Sequence, residues 1–90
     1  MAVFMMAEVP GQTTEGYDGM LANLADPLKN ARGFITHMAG ADGEMWRVFE
    51  VWESAKEASA FYAKFVDPNL PPGVKPKRHF VELHSLIRSP

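Results

Sequence analysis

The order of segments in this chain predicts an α+β fold of the form β-α-β-β-α-β, with a four-stranded antiparallel sheet and two helices on one face. Three observations carry that prediction. A strand-like run, Val48 to Trp52, passes through Glu53 directly into Ser54-Ala55-Lys56-Glu57 and an apolar helical stripe. Asp42-Gly43, a favoured pair for a two-residue type I′ turn, separates two strand-like runs. Upstream, a first strand ends at Pro10-Gly11 and is followed by helical periodicity, so a strand-helix-strand unit occurs twice.

The first strand covers Ala2 to Val9, rich in strand formers. Tyr17, Leu21, Leu24 and Leu28 then recur at helical spacing, with Thr13 or Thr14 as the cap. Gly16 and Gly19 each weaken this helix by about 1 kcal/mol, and Pro27 predicts a kink or an end near Asp26. Phe34 to Ala39 is the second strand and Met45 to Trp52 the third. With an Asp42-Gly43 turn, Ala41 faces Glu44, His37 faces Val48 and Ile35 faces Glu50. That register puts His37, Trp46, Val48, Glu50 and Trp52 on one face, and Thr36, Met38, Arg47, Phe49 and Val51 on the other.

Ser54 is placed to accept from the first free helical N–H groups while Glu57 reaches back to the Ser54 N–H, a capping box; removing the Ser54 hydroxyl is expected to cost about 1 kcal/mol. The second helix runs from Ala55 to about Val66, with Ala58, Phe61, Tyr62 and Phe65 as its stripe. It stops before Pro68. Residues 67–77 are too rich in proline to form an element, and His79 to Ile87 alternates as a last strand.

Ninety residues, of which 47% are apolar, make a single domain spanning 1–90. A net charge of −2 with scattered Lys and Arg gives no stripe for phosphates, so nucleic acid is not an expected partner. Lys75, Lys77 and Arg78 read as a solvated loop edge. The absence of cysteine excludes disulfides and thiolate chemistry. The opening Met1 to Met6 lacks a basic start and is soon interrupted by Glu8 and Pro10, so it does not read as a signal peptide. No stretch approaches the roughly 20 apolar residues of a membrane helix, and a cytoplasmic location is expected.

The element order is the ferredoxin-like split β-α-β arrangement. Two helices cover one face of such a sheet, yet Phe4 with Met5, Val48 with Phe49, and Phe80 with Val81 place large apolar residues on both faces. Burial of the open face against an identical subunit, as a two-fold homodimer, is the simplest solution.

Gly33-Phe34 opening the second strand, His37 soon after, and Val51-Trp52-Glu53-Ser54 entering the second helix resemble the dimeric α/β-barrel superfamily. Within it the chain is most similar to the small proteins grouped with the antibiotic biosynthesis monooxygenases. The resemblance spans almost the whole chain in element order, and its one local motif is the Trp-Glu-Ser junction. Members include cofactor-free monooxygenases of phenolic polyketides, haem-degrading enzymes, isomerases, decarboxylases and proteins of no known activity. The resemblance implies a dimeric barrel with a pocket between helices and sheet in each subunit. Haem-degrading members bring an Asn on the first strand and a His from the second helix; neither is present here, and no cofactor is expected. His37, His79 and His84 show no metal-ligand spacing, so no metal is expected either.

A cofactor-free oxygenase needs a base to ionise a hydroxyaromatic substrate, an apolar cavity to stack it, and room for oxygen. His37 is the candidate base, histidine being the side chain that titrates near neutrality, and Glu50 orients it. Trp46, Trp52 and Phe61 are candidate ligand-contacting walls, and Tyr62 is placed to hydrogen-bond a substrate oxygen. Arg47 has the chemistry to stabilise an oxyanion but lies on the opposite face. Trp52 and Tyr62 also read as core residues, and His37 as a satisfied structural histidine. Three functions follow: a monooxygenase-like enzyme acting on a small apolar or phenolic molecule, a non-catalytic ligand-binding or accessory homodimer, and a barrel that only drives assembly.

Overall fold

A computed structural model describes residues 1–90. The elements are β1 (Val3–Val9), α1 (Thr14–Lys29), β2 (Phe34–Asp42), β3 (Met45–Trp52), α2 (Ala55–Phe61) and β4 (Lys77–Glu82). The four strands form one antiparallel sheet in the order β2-β3-β1-β4, which places each strand-helix-strand unit astride a strand of the other.

Thr13 caps α1 by accepting from the Gly16 N–H at 3.0 Å. The helix does not stop near Asp26 but runs on to Lys29. Pro27 lies in the last turn, where its missing N–H forfeits a single bond, and the Asp26 carbonyl accepts from both the backbone and the side-chain amide of Asn30. Continuing the helix buries Leu28.

The β2–β3 register differs from the sequence expectation by two residues: His37 pairs with Glu50 and Asp42 with Met45. The turn residues are Gly43 and Glu44, not Asp42 and Gly43. Only Gly43 has positive φ (+62°), as in a type II′ turn, which places glycine at the first central position. An even shift preserves the faces, so His37, Trp46, Val48, Glu50 and Trp52 share one side as expected. Ile35 opposes no Glu50; it is the extra residue of a bulge between Phe34 and Thr36.

The Ser54 hydroxyl caps α2, accepting from the Glu57 N–H at 3.1 Å and donating to Glu57 Oε1 at 2.9 Å. Glu57 therefore reaches back to the hydroxyl, not to the Ser54 N–H. Gly33 sits against this cap with φ +83°, and its carbonyl accepts from the Glu53 N–H at 2.7 Å. After Phe61 the helix widens into a π turn over Tyr62–Val66, closed by the Asp67 N–H to the Tyr62 carbonyl, before a 3₁₀ turn at Asp67–Asn69. Pro68 supplies no N–H to the Lys64 carbonyl and its ring crowds that oxygen, so α geometry is abandoned just before it.

β4 begins two residues earlier than expected and ends at Glu82, well short of Ile87. β1 is its sole neighbour, and the Leu83 N–H to the Ala2 carbonyl is the last bond that neighbour offers. Ile87 is left exposed and His84 lies beyond the strand.

The core lies between the sheet and the helices. Val3, Leu28, Trp52, Ala58 and Phe61 form one buried cluster, and Met5, Ala7 and Val9 form another against Trp46, Val48, Val74 and Phe80. On the opposite face Phe4 stacks on Phe49 at 6.1 Å between ring centres, beside exposed Met6, Met38 and Val81. Arg47 is held there by Glu8 (2.7 Å) and Asp42 (2.9 Å), away from the helices.

Candidate functional site

Between the helices and the sheet lies a cavity of about 100 Å³, room for several water molecules and lined mainly by apolar side chains. Met5, Ala7, Val9 and Val48 form its floor. Met20, Leu21, Leu24 and Leu28 of α1 form one wall, and Ala58, Phe61, Tyr62 and Val66 form another. Leu70 and Pro76 place the proline-rich connection over this chain's own cavity.

One end is polar. His37 and Glu50 are direct cross-strand neighbours, and His37 Nδ1 lies 2.7 Å from Glu50 Oε2. Because a carboxylate only accepts, Nδ1 carries a proton and donates to Glu50. In the neutral imidazole Nε2 is then an acceptor, and the Tyr17 hydroxyl stands 2.6 Å from it as donor. The other Glu50 oxygen accepts from Trp52 Nε1 at 2.8 Å. The result is a continuous chain of hydrogen bonds, Tyr17 to His37 to Glu50 to Trp52. Burial, followed by the negative charges of Glu50 and Asp18, raises the pKa of the Tyr17 phenol, so it stays protonated at neutral pH.

Tyr17 is held over the site by its ring, 5.0 Å from Trp46 and 6.0 Å from His37 between centres. Trp46 lines the cavity, and its Nε1 is buried without a partner. Phe61 also lines the cavity. Trp52 does not: it is fully buried (0% exposed) and packs against Phe34 and Phe61, so its indole holds Glu50 from the core side. Tyr62 lines the cavity away from the His37 chain, with the Arg78 guanidinium 3.9 Å from its ring centre. Burial raises the Tyr62 phenol although Arg78 pulls the other way.

Of the residues expected from sequence, His37, Glu50, Trp46, Phe61 and Tyr62 line one cavity, and Trp52 stands behind it. Two were not expected. Tyr17 looked like the first residue of a core stripe; its sole distinguishing signal was a hydroxyl among leucines. Arg78 looked like part of a solvated charge run. Strand alternation separates it from Lys77 and turns it inward beside Ala7 and Phe80. No three His, Asp or Glu side chains converge to hold a metal ion.

No family model matches the chain, and no curated protein does. Among solved structures, SnoaB, a cofactor-independent oxygenase from Streptomyces nogalater, superposes with a TM-score of 0.67 over 98% of each chain at 11% identity. The heme-degrader MhuD from Mycobacterium tuberculosis, solved with two hemes bound in its active site, superposes with a TM-score of 0.63 over 98% of this chain and 100% of its own, at 19% identity. Likeness at such identities speaks to architecture. Element order, sheet order and these superpositions give the chain a ferredoxin-like fold, the architecture it shares with SnoaB and MhuD.

Proposed function

We propose that this protein is a cofactor-independent monooxygenase-like enzyme that binds a small apolar or phenolic molecule between sheet and helices. The observation that carries the reading is the hydrogen-bonded chain from Tyr17 through His37 to Glu50 at the wall of a mainly apolar cavity. Since the raised pKa opposes a standing tyrosinate, Tyr17 acts as a relay. Its oxygen takes the substrate's phenolic proton as its own passes to His37 Nε2, and the imidazolium formed is held against Glu50. The ionised ring then gives electrons to molecular oxygen. A carbon–oxygen bond forms, the resulting hydroperoxide loses water, and a quinone remains: one hydroxyarene and one O₂ become one quinone and one H₂O. The likeness to SnoaB supports this reading.

No histidine offers a free nitrogen to haem in this cavity: both nitrogens of His37 are engaged, His79 pairs with Met6 on the other face, and His84 lies beyond β4.

The dimer belongs to the same proposal. Phe4, Met6, Met38, Phe49 and Val81 form an apolar face without a helix over it, suited to a second copy and to closing the two sheets into a barrel. A second reading, a non-catalytic ligand carrier, is favoured by the full satisfaction of His37, since a histidine bonded at both nitrogens also serves a purely structural role. Oxygen consumption with a panel of dihydroxynaphthalenes separates the two. Uptake by the wild type that His37→Ala abolishes, with assembly unchanged, supports the enzyme; uptake surviving in His37→Ala makes His37 structural. Binding seen by tryptophan fluorescence without uptake supports the carrier.

A further inference from the structure

The cavity has a second polar end. Arg78 comes from β4, paired with Ala7 and turned to the helix side, and its guanidinium is fixed between Tyr62 (3.9 Å) and Phe80 (5.2 Å). No carboxylate neutralises it, for the ion pairs of the chain are His37 with Glu50 and Arg47 with Glu8 and Asp42. A guanidinium keeps its charge at any ordinary pH and presents a planar fork of donors. Trp46, which also lines the cavity, has a buried Nε1 donor without a partner. Arg78 is therefore the charged side chain of the lining left without a partner charge, the Tyr62 hydroxyl can donate or accept, and the acceptors Glu50 and His37 Nε2 are already engaged.

We infer that the ligand is an aromatic acid whose carboxylate is taken by Arg78 while its hydroxyl-bearing ring meets Tyr17. This rests on the reading of the cavity as an aromatic-binding site. β2 and β4 are the outer strands, three strand spacings apart, or roughly 14 Å. Ala7 and Val48 line the cavity between these two polar ends. Stacking on Tyr62 fixes the guanidinium plane before the ligand arrives, so little ordering is required on binding.

Isothermal titration calorimetry with 2-naphthoate and its neutral isostere 2-naphthamide tests the assignment. The wild type is expected to favour the acid by about tenfold or more, the scale of a charge-assisted hydrogen bond. Arg78→Gln is expected to bind both alike. Equal affinity in the wild type, or a preference that persists in Arg78→Gln, overturns the inference; in either case naphthamide binding leaves the aromatic cavity standing. Binding of neither compound overturns both. The comparison within the unaltered protein decides the matter whatever the stability of the variant.

Discussion

Gly33→Ala is expected to destabilise the fold by about 2 kcal/mol, through two separable contributions. The residue has φ +83°, where an L side chain costs about 1–2 kcal/mol, offset by about 0.4–1 kcal/mol because alanine restricts the unfolded chain. The added Cβ also falls 2.5 Å from Glu57 Oε1. A carboxylate at the end of a flexible side chain moves aside cheaply, but moving breaks its 2.9 Å bond from the Ser54 hydroxyl, worth about 1 kcal/mol. In a Glu57→Ala background there is no carboxylate to displace, and the cost of Gly33→Ala should fall to about 1 kcal/mol. Urea unfolding of the four proteins at one fixed concentration measures the difference, the fixed concentration removing any effect of association. Equal cost in both backgrounds would assign the whole penalty to the backbone and refute the contact argument; no cost in either would refute both parts.

Tyr17→Phe keeps the ring against Trp46 and His37 and removes the relay oxygen, so oxygen uptake should fall by about 10²–10⁴-fold with folding intact. The same variant reports on alkaline stability. The folded-state pKa of Tyr17 lies above the ordinary phenol value of 10.0, so its contribution is complete below pH 10 and is lost as pH rises through the folded value; denaturant midpoints of Tyr17→Phe should decline less steeply there. Trp46→Phe removes a buried N–H without a partner, and thermal unfolding should show no loss beyond about 1 kcal/mol. Phe49→Asp puts a charge at the centre of the open face, between Met6 and Met38, and should leave the protein monomeric by native mass spectrometry.

The strand-helix junction at Ser54 and the facing of β3 were legible because both rest on local rules: a hydroxyl three residues before a glutamate, and a side-chain period of two. Face assignment survived a register error for the second reason, since a shift of two leaves every side chain on its own side. What escaped notice depends on distant partners. β4 ends where β1 ends, which nothing in Ser85 to Ile87 announces. The π turn follows from crowding by Pro68, and the continuation of α1 through Pro27 from a bond lost so late in the helix that little depends on it. Tyr17 and His37 are twenty residues apart in the chain and meet because α1 packs over β2. No local pattern encodes that meeting.

The Glu50 carboxylate has one oxygen on His37 and the other on Trp52, the most buried side chain in the chain. Folding and the proposed proton transfer thus share a single anion, and selection acting on either defends it for both. Evolutionary change in what the cavity accepts is thereby channelled away from this end toward positions whose loss harms neither, such as Met20, Leu24 and Leu70. Lineages that diverge in substrate should vary along α1 and the proline-rich connection while the histidine, the glutamate and the tryptophan drift together or not at all.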